Sequence, residues 1–117
     1  MHSVFLTYKS SLIHYRKGGE GKRLLFCFHG YGESSESFAF LETPLDREFT
    51  LVAIDLPFHG KTDWREGLYL DPKDLLAIIR QIGTGLPGAN QPWWLMGYSM
   101  GGRVALSLLD PSMDHRR

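Results

Sequence analysis

The chain has 117 residues, which is length for a single domain, so we take residues 1–117 as one domain and exclude two-domain interpretations. Thirteen basic and thirteen acidic residues balance to a formal charge of zero, so no global field favours nucleic acid or an anionic membrane. The single cysteine, Cys27, excludes an internal disulfide and fits a reducing compartment. No apolar stretch reaches the ~18 residues of a membrane span, and residues 1–19 lack a signal-peptide pattern, so we expect a soluble cytoplasmic protein.

The first half of the sequence predicts a hairpin and two buried strands. Residues 3–8 and 12–16 alternate between polar and apolar side chains, as half-buried strands do. Residues 23–29 and 49–55 are nearly continuous apolar runs, which is typical of strands buried on both faces. Between them, serines precede apolar residues in segment 34–41, which predicts a capped helix.

The second half adds a helix, a strand and a further helix. Asp71 and Pro72 are favoured residues at a helix start, and Gly83 ends the apolar helical stripe that follows. Residues 92–96 predict a strand and residues 100–109 a helix. The alternation predicts an α/β fold with a mostly parallel sheet and helices on both faces, in which chemistry collects at the carboxyl ends of the strands.

The strongest motif is the GxSxG of residues 97–101, placed where a strand turns into a helix. A serine nucleophile has to project from a sharp, strained turn, and Gly97 and Gly101 leave room for the crowded backbone. Ser99 would lie at the positive end of the helix dipole, beside the free backbone N–H of Met100. This context predicts that Ser99 is a catalytic nucleophile.

A second motif, HGYG at residues 29–32, follows the strand 23–29. Acyl chemistry passes through an oxyanion that needs two fixed donors about 3 Å from the oxygen. Because Gly30 is small, the backbone N–H of Tyr31 can point to the same space as that of Met100, which predicts an oxyanion hole. The imidazole of His29 itself is interpreted as a structural, hydrogen-bonded group.

Two further patterns resemble nucleotide-binding motifs. The loop after the strand at residues 49–55 ends in Gly60, Lys61 and Thr62, as a P-loop does. However, Asp55 stands where that motif needs glycine, and Pro57 has no backbone N–H to donate to a phosphate. The GxGxxG of residues 83–88 follows a helix and precedes a strand, the reverse of the dinucleotide arrangement, so we interpret it as a helix end and loop. Five scattered histidines and one cysteine give no metal-ligand spacing, and we expect neither metal nor cofactor.

Together, HGYG, IDLPFHGKT and GYSMGG resemble the α/β-hydrolase superfamily in order and interval, over about residues 3–109. The resemblance implies Ser99 as the nucleophile, the Tyr31 and Met100 amides as the oxyanion hole, and structural roles for Asp55, His59 and Gly60. The pattern is most similar to the small acyl, ester and carbon–carbon bond hydrolases of the superfamily, although several non-hydrolytic relatives share it. It implies an ester, thioester or related carbonyl substrate, and a nucleophile elbow formed by residues 97–101.

The rest of the family's catalytic triad has no good counterpart here. The family order is Ser, then Asp or Glu, then His. Asp110, Asp114 and His115 satisfy that order, but a helix of about ten residues carries the chain ~15 Å away from Ser99. His29 and His59 are alternative bases on neighbouring loops. We therefore expect a fold truncated after the elbow helix, with the catalytic acid and base missing.

In a fold truncated after the elbow helix, the strand at residues 92–96 is an edge strand, with no neighbouring strand on one side. Exposed apolar edges, here with Trp93 and Trp94 close by, pair readily with another chain. We therefore expect self-association through the open sheet edge. The alternative to a hydrolase is a non-catalytic half-domain that a partner chain completes.

Overall fold

A computed structural model describes residues 1–109 and contains one five-stranded mixed sheet in the order β1-β2-β4-β3-β5. The strands are β1 (His2–Tyr8), β2 (Ser11–Gly18), β3 (Arg23–Phe28), β4 (Phe49–Ile54) and β5 (Trp94–Gly97). The helical elements are a 3₁₀ helix (Ser35–Leu41), α1 (Glu42–Leu45), α2 (Pro72–Gly83) and α3 (Met100–Ser107). None of these helices is long and apolar enough to cross a membrane.

The predicted α/β architecture is confirmed. β1 and β2 form an antiparallel hairpin, and β2 joins β4 antiparallel. β4, β3 and β5 run parallel to one another, with Leu25 of β3 opposite both Leu51 and Trp94. The carboxyl ends of these three strands therefore meet at one edge of the sheet, which is where ligands collect in open α/β sheets.

Helices cover both faces of the sheet, as predicted. On one face, Phe26 and Phe28 of β3 pack with the apolar stripes of α2 and α3. On the other, Leu25 and Cys27 pack against the 3₁₀ helix and α1. Each fully buried large apolar side chain contributes roughly 1.5–3 kcal/mol. Burial also raises the pKa of the Cys27 thiol to about 12, so this cysteine is a core residue without thiolate character.

The helix starts follow the sequence signals, but one helix type differs from the prediction. The Asp71 carboxylate accepts the N–H of Lys73 at 2.9 Å and caps α2. Earlier in the chain, the Ser34 hydroxyl caps the helical segment that follows it, but residues 35–41 form a 3₁₀ helix and α-helical geometry begins only at Glu42. Pro44, in the first turn of α1, has no N–H to donate to a carbonyl of the preceding 3₁₀ helix, which fits a change of helix type at this junction.

The strand predicted at residues 92–96 begins later than expected. β5 starts at Trp94. Pro92 has no backbone N–H to donate to a neighbouring strand, and the Trp93 indole donates to the Ala89 carbonyl in the preceding loop at 3.1 Å. The Trp93 ring packs on Phe26 with centroids 5.3 Å apart, so it belongs to the core and not to the open edge. Trp94 remains half exposed.

Within residues 1–109, β5 pairs with β3 on one side and has no strand on the other. Residues 91–102 include no charged side chain, so the edge lacks the lysines that discourage strand pairing. Exposed apolar side chains flank it on both faces, among them Phe40, Met96, Tyr98 and Leu106. An uncharged edge can face a copy of itself without repulsion.

We propose that isolated chains associate through this edge and predict that Met96→Lys weakens the association. Association through β5 would remove the lysine ammonium group from water, which is unfavourable. The variant should therefore sediment more as a monomer than the unmodified chain does. Leu68→Lys, on a loop remote from β5 in sequence and strongly exposed, is the matched control. A stable monomer of the unmodified chain at low micromolar concentration in analytical ultracentrifugation would contradict the proposal.

Candidate active site

Ser99 lies at the turn between β5 and α3, with φ 55° and ψ −116°. A positive φ costs a residue with a side chain about 1–3 kcal/mol, so the surrounding structure must impose it. The Tyr98 N–H donates to the Phe28 carbonyl at 3.1 Å, and the Gly102 N–H donates to the Ser99 carbonyl at 2.9 Å. Ser99 is exposed, and its hydroxyl makes no capping hydrogen bond.

The two glycines around Ser99 are required by close backbone approach. A Cβ on Gly97 would lie 2.2 Å from the Gly101 carbonyl oxygen, and a Cβ on Gly101 would lie 1.9 Å from that of Phe28. Both distances are far inside van der Waals contact. Gly102, by contrast, has nothing nearer than 3.8 Å. The spacing of Gly97 and Gly101 is thus what lets α3 begin directly against the end of β3.

The loop after β3 runs beside this turn. Gly30 lies against Tyr98, since a Cβ at that position would come within 3.3 Å of the Tyr98 carbonyl oxygen. Among the described residues, the N–H groups of Tyr31 and Met100 donate to no acceptor. Met100 N–H is free because it belongs to the first turn of α3. Two unused donors therefore lie on adjacent loops at the carboxyl edge of the sheet.

His29 is fully buried and tied to the backbone by both ring nitrogens. Its Nε2 accepts the Leu56 N–H at 3.0 Å, so the proton is on Nδ1, which donates to the Gly30 carbonyl at 2.8 Å. Burial lowers the pKa of His29, against the opposing effect of the Gly30 hydrogen bond. His29 is a neutral structural group that fixes the start of the Gly30 loop, in agreement with the sequence interpretation.

His59 holds the same loop further along. Its Nε2 accepts the Gly32 N–H at 3.0 Å and its Nδ1 lies 3.0 Å from the Pro57 carbonyl. The ring also packs 4.8 Å from that of His29 and edge-on to Tyr31. With both nitrogens engaged, neither His29 nor His59 offers a lone pair to Ser99. Asp110, Asp114 and His115, the other candidates for the triad, lie outside the described residues.

Asp55, at the end of β4, joins four segments of the chain. Its carboxylate accepts the backbone N–H groups of Ser35 (2.7 Å) and Lys61 (2.9 Å) and contacts His14 Nδ1 at 2.6 Å. Burial by itself raises the pKa of Asp55, but these hydrogen bonds outweigh it, and the pKa lies below its ordinary value. A Cβ on Gly60 would lie 2.2 Å from this carboxylate, so only glycine fits there.

These contacts also bear on the P-loop alternative. The Lys61 N–H points to a carboxylate, and the Thr62 hydroxyl donates to the Asp55 carbonyl at 2.7 Å. Groups that would cradle a phosphate are thus used inside the fold. The second pattern, at residues 83–88, begins at the end of α2, where the Thr84 N–H donates to the Arg80 carbonyl at 3.1 Å, as expected for a helix end.

A cleft of about 340 Å³ opens beside the Ser99 turn. Its walls are mainly apolar, with polar side chains from His29, Glu33 and Ser37; aromatic and apolar side chains come from Phe38, Phe40, Met96 and Tyr98. Within residues 1–109, no three His, Cys, Asp or Glu side chains are grouped so as to hold a metal ion.

The sequence reasoning overlooked His14, which is fully buried in β2 and contacts both Asp55 and Ser3. The sequence indicated a buried histidine only through its position between Ile13 and Tyr15, in a segment predicted to form a strand. A polar side chain at a buried position needs a partner. That partner lies 41 residues away in sequence.

Comparison with known proteins agrees with this geometry. A family model described as the alpha/beta hydrolase fold matches residues 23–112. A dihydrolipoyllysine-residue acetyltransferase component of an acetoin cleaving system from Cupriavidus necator is 36% identical over 94 residues, 80% of this chain and 24% of that protein. A pimeloyl-[acyl-carrier protein] methyl ester esterase from Cronobacter sakazakii is 32% identical over 102 residues, 86% of this chain and 36% of that protein.

A thioesterase domain from the curacin biosynthetic pathway superposes with a TM-score of 0.75 at 28% identity, over 92% of this chain and 40% of that one. The chain therefore belongs to the α/β-hydrolase family. It spans about a quarter to two fifths of the length of these three proteins.

The contrast between two adjacent glycines tests the packing of the Ser99 turn. Gly101→Ala should destabilise the chain by more than about 2 kcal/mol, because backbone must move to admit the methyl group. Gly102→Ala is the matched control and should be neutral or stabilising by up to about 1 kcal/mol, since it adds an alanine to a helix with open space. Urea unfolding measures both, and equal effects would contradict the packing described.

The Asp55 network predicts a pH-dependent stability. Because the folded pKa lies below the ordinary value of about 3.9, the stabilisation is complete above that value and is lost as pH falls through the folded pKa. Asp55→Asn should cost about 2 kcal/mol or more at pH 7 and progressively less in acid. Asp63→Asn, which removes an exposed pair with Arg65, should have little effect at either pH. A pH-independent difference between Asp55→Asn and the unmodified chain in urea unfolding would contradict this account.

Proposed function

We propose that this chain supplies the nucleophile and the oxyanion hole of a serine hydrolase acting on a carboxylic ester or thioester. The observation that carries the proposal is the backbone of Ser99, a side-chain-bearing residue at φ 55° on a strand-to-helix turn. Strain of this kind persists only where the surroundings impose it, and it aims the hydroxyl outward.

Each group has a role in this proposal. Ser99 Oγ attacks the carbonyl carbon, and the N–H groups of Tyr31 and Met100 donate to the oxygen as it becomes negative. Gly97 and Gly101 allow the turn, and Gly30 allows the Tyr31 loop to approach it. The positive end of α3 adds a favourable field at the same point.

The proposed reaction is acyl transfer to Ser99 followed by hydrolysis. A bond forms between Ser99 Oγ and the acyl carbon, the carbon–oxygen or carbon–sulfur bond breaks, and the alcohol or thiol leaves with a proton. Water then attacks the acyl-serine and releases the carboxylic acid. Both steps need a base that takes the proton from the attacking hydroxyl.

We infer that this base is not among residues 1–109. His29 and His59 use both ring nitrogens in backbone contacts, so neither can accept the Ser99 proton without breaking the loop they hold. The catalytic acid and histidine would then come from outside these residues. Without them, the oxyanion hole alone gives a residual rate on the order of 10³–10⁴-fold over water.

The substrate class rests on the relatives. Among the three similar proteins, one is named a methyl ester esterase and another a thioesterase domain, and both names denote acyl carbon attached to oxygen or sulfur. The mainly apolar cleft beside Gly97 and Tyr98 suits the hydrocarbon part of such a substrate. The third relative, an acetyltransferase component, is likewise named for acyl transfer.

A second candidate function is a non-catalytic half-domain completed by a partner chain. The one-sided pairing of β5 within residues 1–109 favours it. In that case Ser99 would hold the turn but would react no faster than an ordinary exposed serine.

Labelling by a fluorophosphonate separates the two functions. Ser99 lies on the tryptic peptide 81–103, in which it is the only serine. If Ser99 is the nucleophile, mass spectrometry of the labelled folded chain should find the adduct on that peptide, and Ser99→Ala should abolish it. Denaturation in urea should slow labelling of the peptide, because the strained turn and the two amides are then lost.

Ser107→Ala is the matched control, since Ser107 lies on α3 and donates to the Val104 carbonyl. It should leave the labelling of peptide 81–103 unchanged. Either of two results would exclude Ser99 as the nucleophile. One is labelling of peptide 81–103 in the Ser99→Ala variant, and the other is labelling at the same rate in the folded and the unfolded chain.

A further inference from the structure

A second serine, far from Ser99 in sequence, contacts a histidine that in turn contacts a carboxylate. Ser3 Oγ on β1 lies 2.9 Å from His14 Nε2 on β2, and His14 Nδ1 lies 2.6 Å from Asp55 Oδ2 at the end of β4. Both distances are those of hydrogen bonds. A serine, a base and an orienting acid in this connection are the parts that activate a hydroxyl, whatever their order in the sequence.

The charge state of Asp55 fixes the direction of these hydrogen bonds. Its carboxylate is held ionised by the N–H groups of Ser35 and Lys61 and can only accept. A proton of the His14 ring is therefore on Nδ1, and in the ring with a single proton the lone pair of Nε2 faces the Ser3 hydroxyl. This is the tautomer that a general base requires.

Arg16 adds a positive charge beside the serine. It is the cross-strand partner of Ser3 in the β1–β2 ladder, so the two side chains project from the same face of the sheet. One terminal nitrogen donates to Glu36 at 2.9 Å, while the buried Nε–H has no acceptor among the described residues. The positive charge of the guanidinium can stabilise negative charge that develops on a group bonded to Ser3.

We propose that Ser3 is a second reactive serine, activated by His14 and Asp55 and assisted by Arg16, that takes small activated acyl or phosphonyl groups. A small reagent can reach the hydroxyl from solvent, because Ser3 and Phe5 are exposed on an edge strand. The proposal does not depend on Ser99.

The covalent step with a fluorophosphonate balances as follows. The Ser3 oxygen forms a bond to phosphorus, the phosphorus–fluorine bond breaks, and fluoride leaves with the electron pair. The hydroxyl proton passes to His14 Nε2, and the resulting imidazolium is compensated by the Asp55 carboxylate 2.6 Å away. Positive charge at Arg16 stabilises the phosphonyl oxygen during the step.

Peptide mapping after labelling with diisopropyl fluorophosphate tests the proposal in the full chain. Ser3 lies on tryptic peptide 1–9, whereas Ser10, an exposed serine next to the same hairpin turn, lies on peptide 10–16. The Ser3 adduct should form roughly 10-fold or more faster than the Ser10 adduct, as expected for general-base assistance. Ser3→Ala should remove it and leave the adduct on peptide 81–103 unchanged.

Two further variants separate activation from exposure. His14→Gln removes the base, and Arg16→Gln removes the charge while retaining a polar side chain; each should slow the Ser3 adduct several-fold, with folding checked by circular dichroism. Equal rates for Ser3 and Ser10 in the unmodified chain would overturn the proposal, even if His14→Gln fails to fold. Loss of the Ser99 adduct alone would count against the proposed function and not against Ser3.

Discussion

The site depends on one buried carboxylate. Asp55 stands at the carboxyl end of β4 and binds the start of the 3₁₀ helix through Ser35, the loop after β4 through Lys61, and β2 through His14. These contacts tie the loop after β3 to the loop after β4. The loop after β4 also brings His59 to the Gly32 N–H, so the loop that carries the Tyr31 amide is held in part from a neighbouring strand. Because charged hydrogen bonds hold the carboxylate, its ionisation and the order of the site are coupled.

The close packing of α3 against β3 is a second constraint on the site. α3 starts so close to β3 that a Cβ on Gly101 would overlap the Phe28 carbonyl, and the chain enters this helix through the positive φ of Ser99. The strain therefore coincides with the packing of a helix start against a strand end. Tight packing, a free N–H at Met100 and an exposed hydroxyl arise from the same few residues, which is why the motif carries functional information.

Much of this was predictable from local sequence. The hydrophobic runs fixed β3 and β4, Asp71 and Pro72 marked the start of α2, and the GxSxG spacing placed Ser99 at a strand-to-helix turn. Prediction was weaker at the start of β5, where Pro92 cannot join the strand ladder and the Trp93 indole donates to the nearby Ala89 carbonyl. It failed for contacts between residues that are distant in sequence. The contact of His14 with Asp55 and Ser3 joins three strands, and no local pattern encodes such a pairing. These are tertiary effects that override propensity.

The proposal that the backbone N–H groups of Tyr31 and Met100 face Ser99 can be tested with ¹H–¹⁵N spectra of the chain before and after phosphonylation. Modification of Ser99 should move the amide protons of both Tyr31 and Met100 downfield, because the phosphonyl oxygen accepts from them, while the Gly102 amide, bonded to the Ser99 carbonyl, should change little. A Ser99 adduct that leaves the Tyr31 and Met100 amides unmoved would contradict the claim.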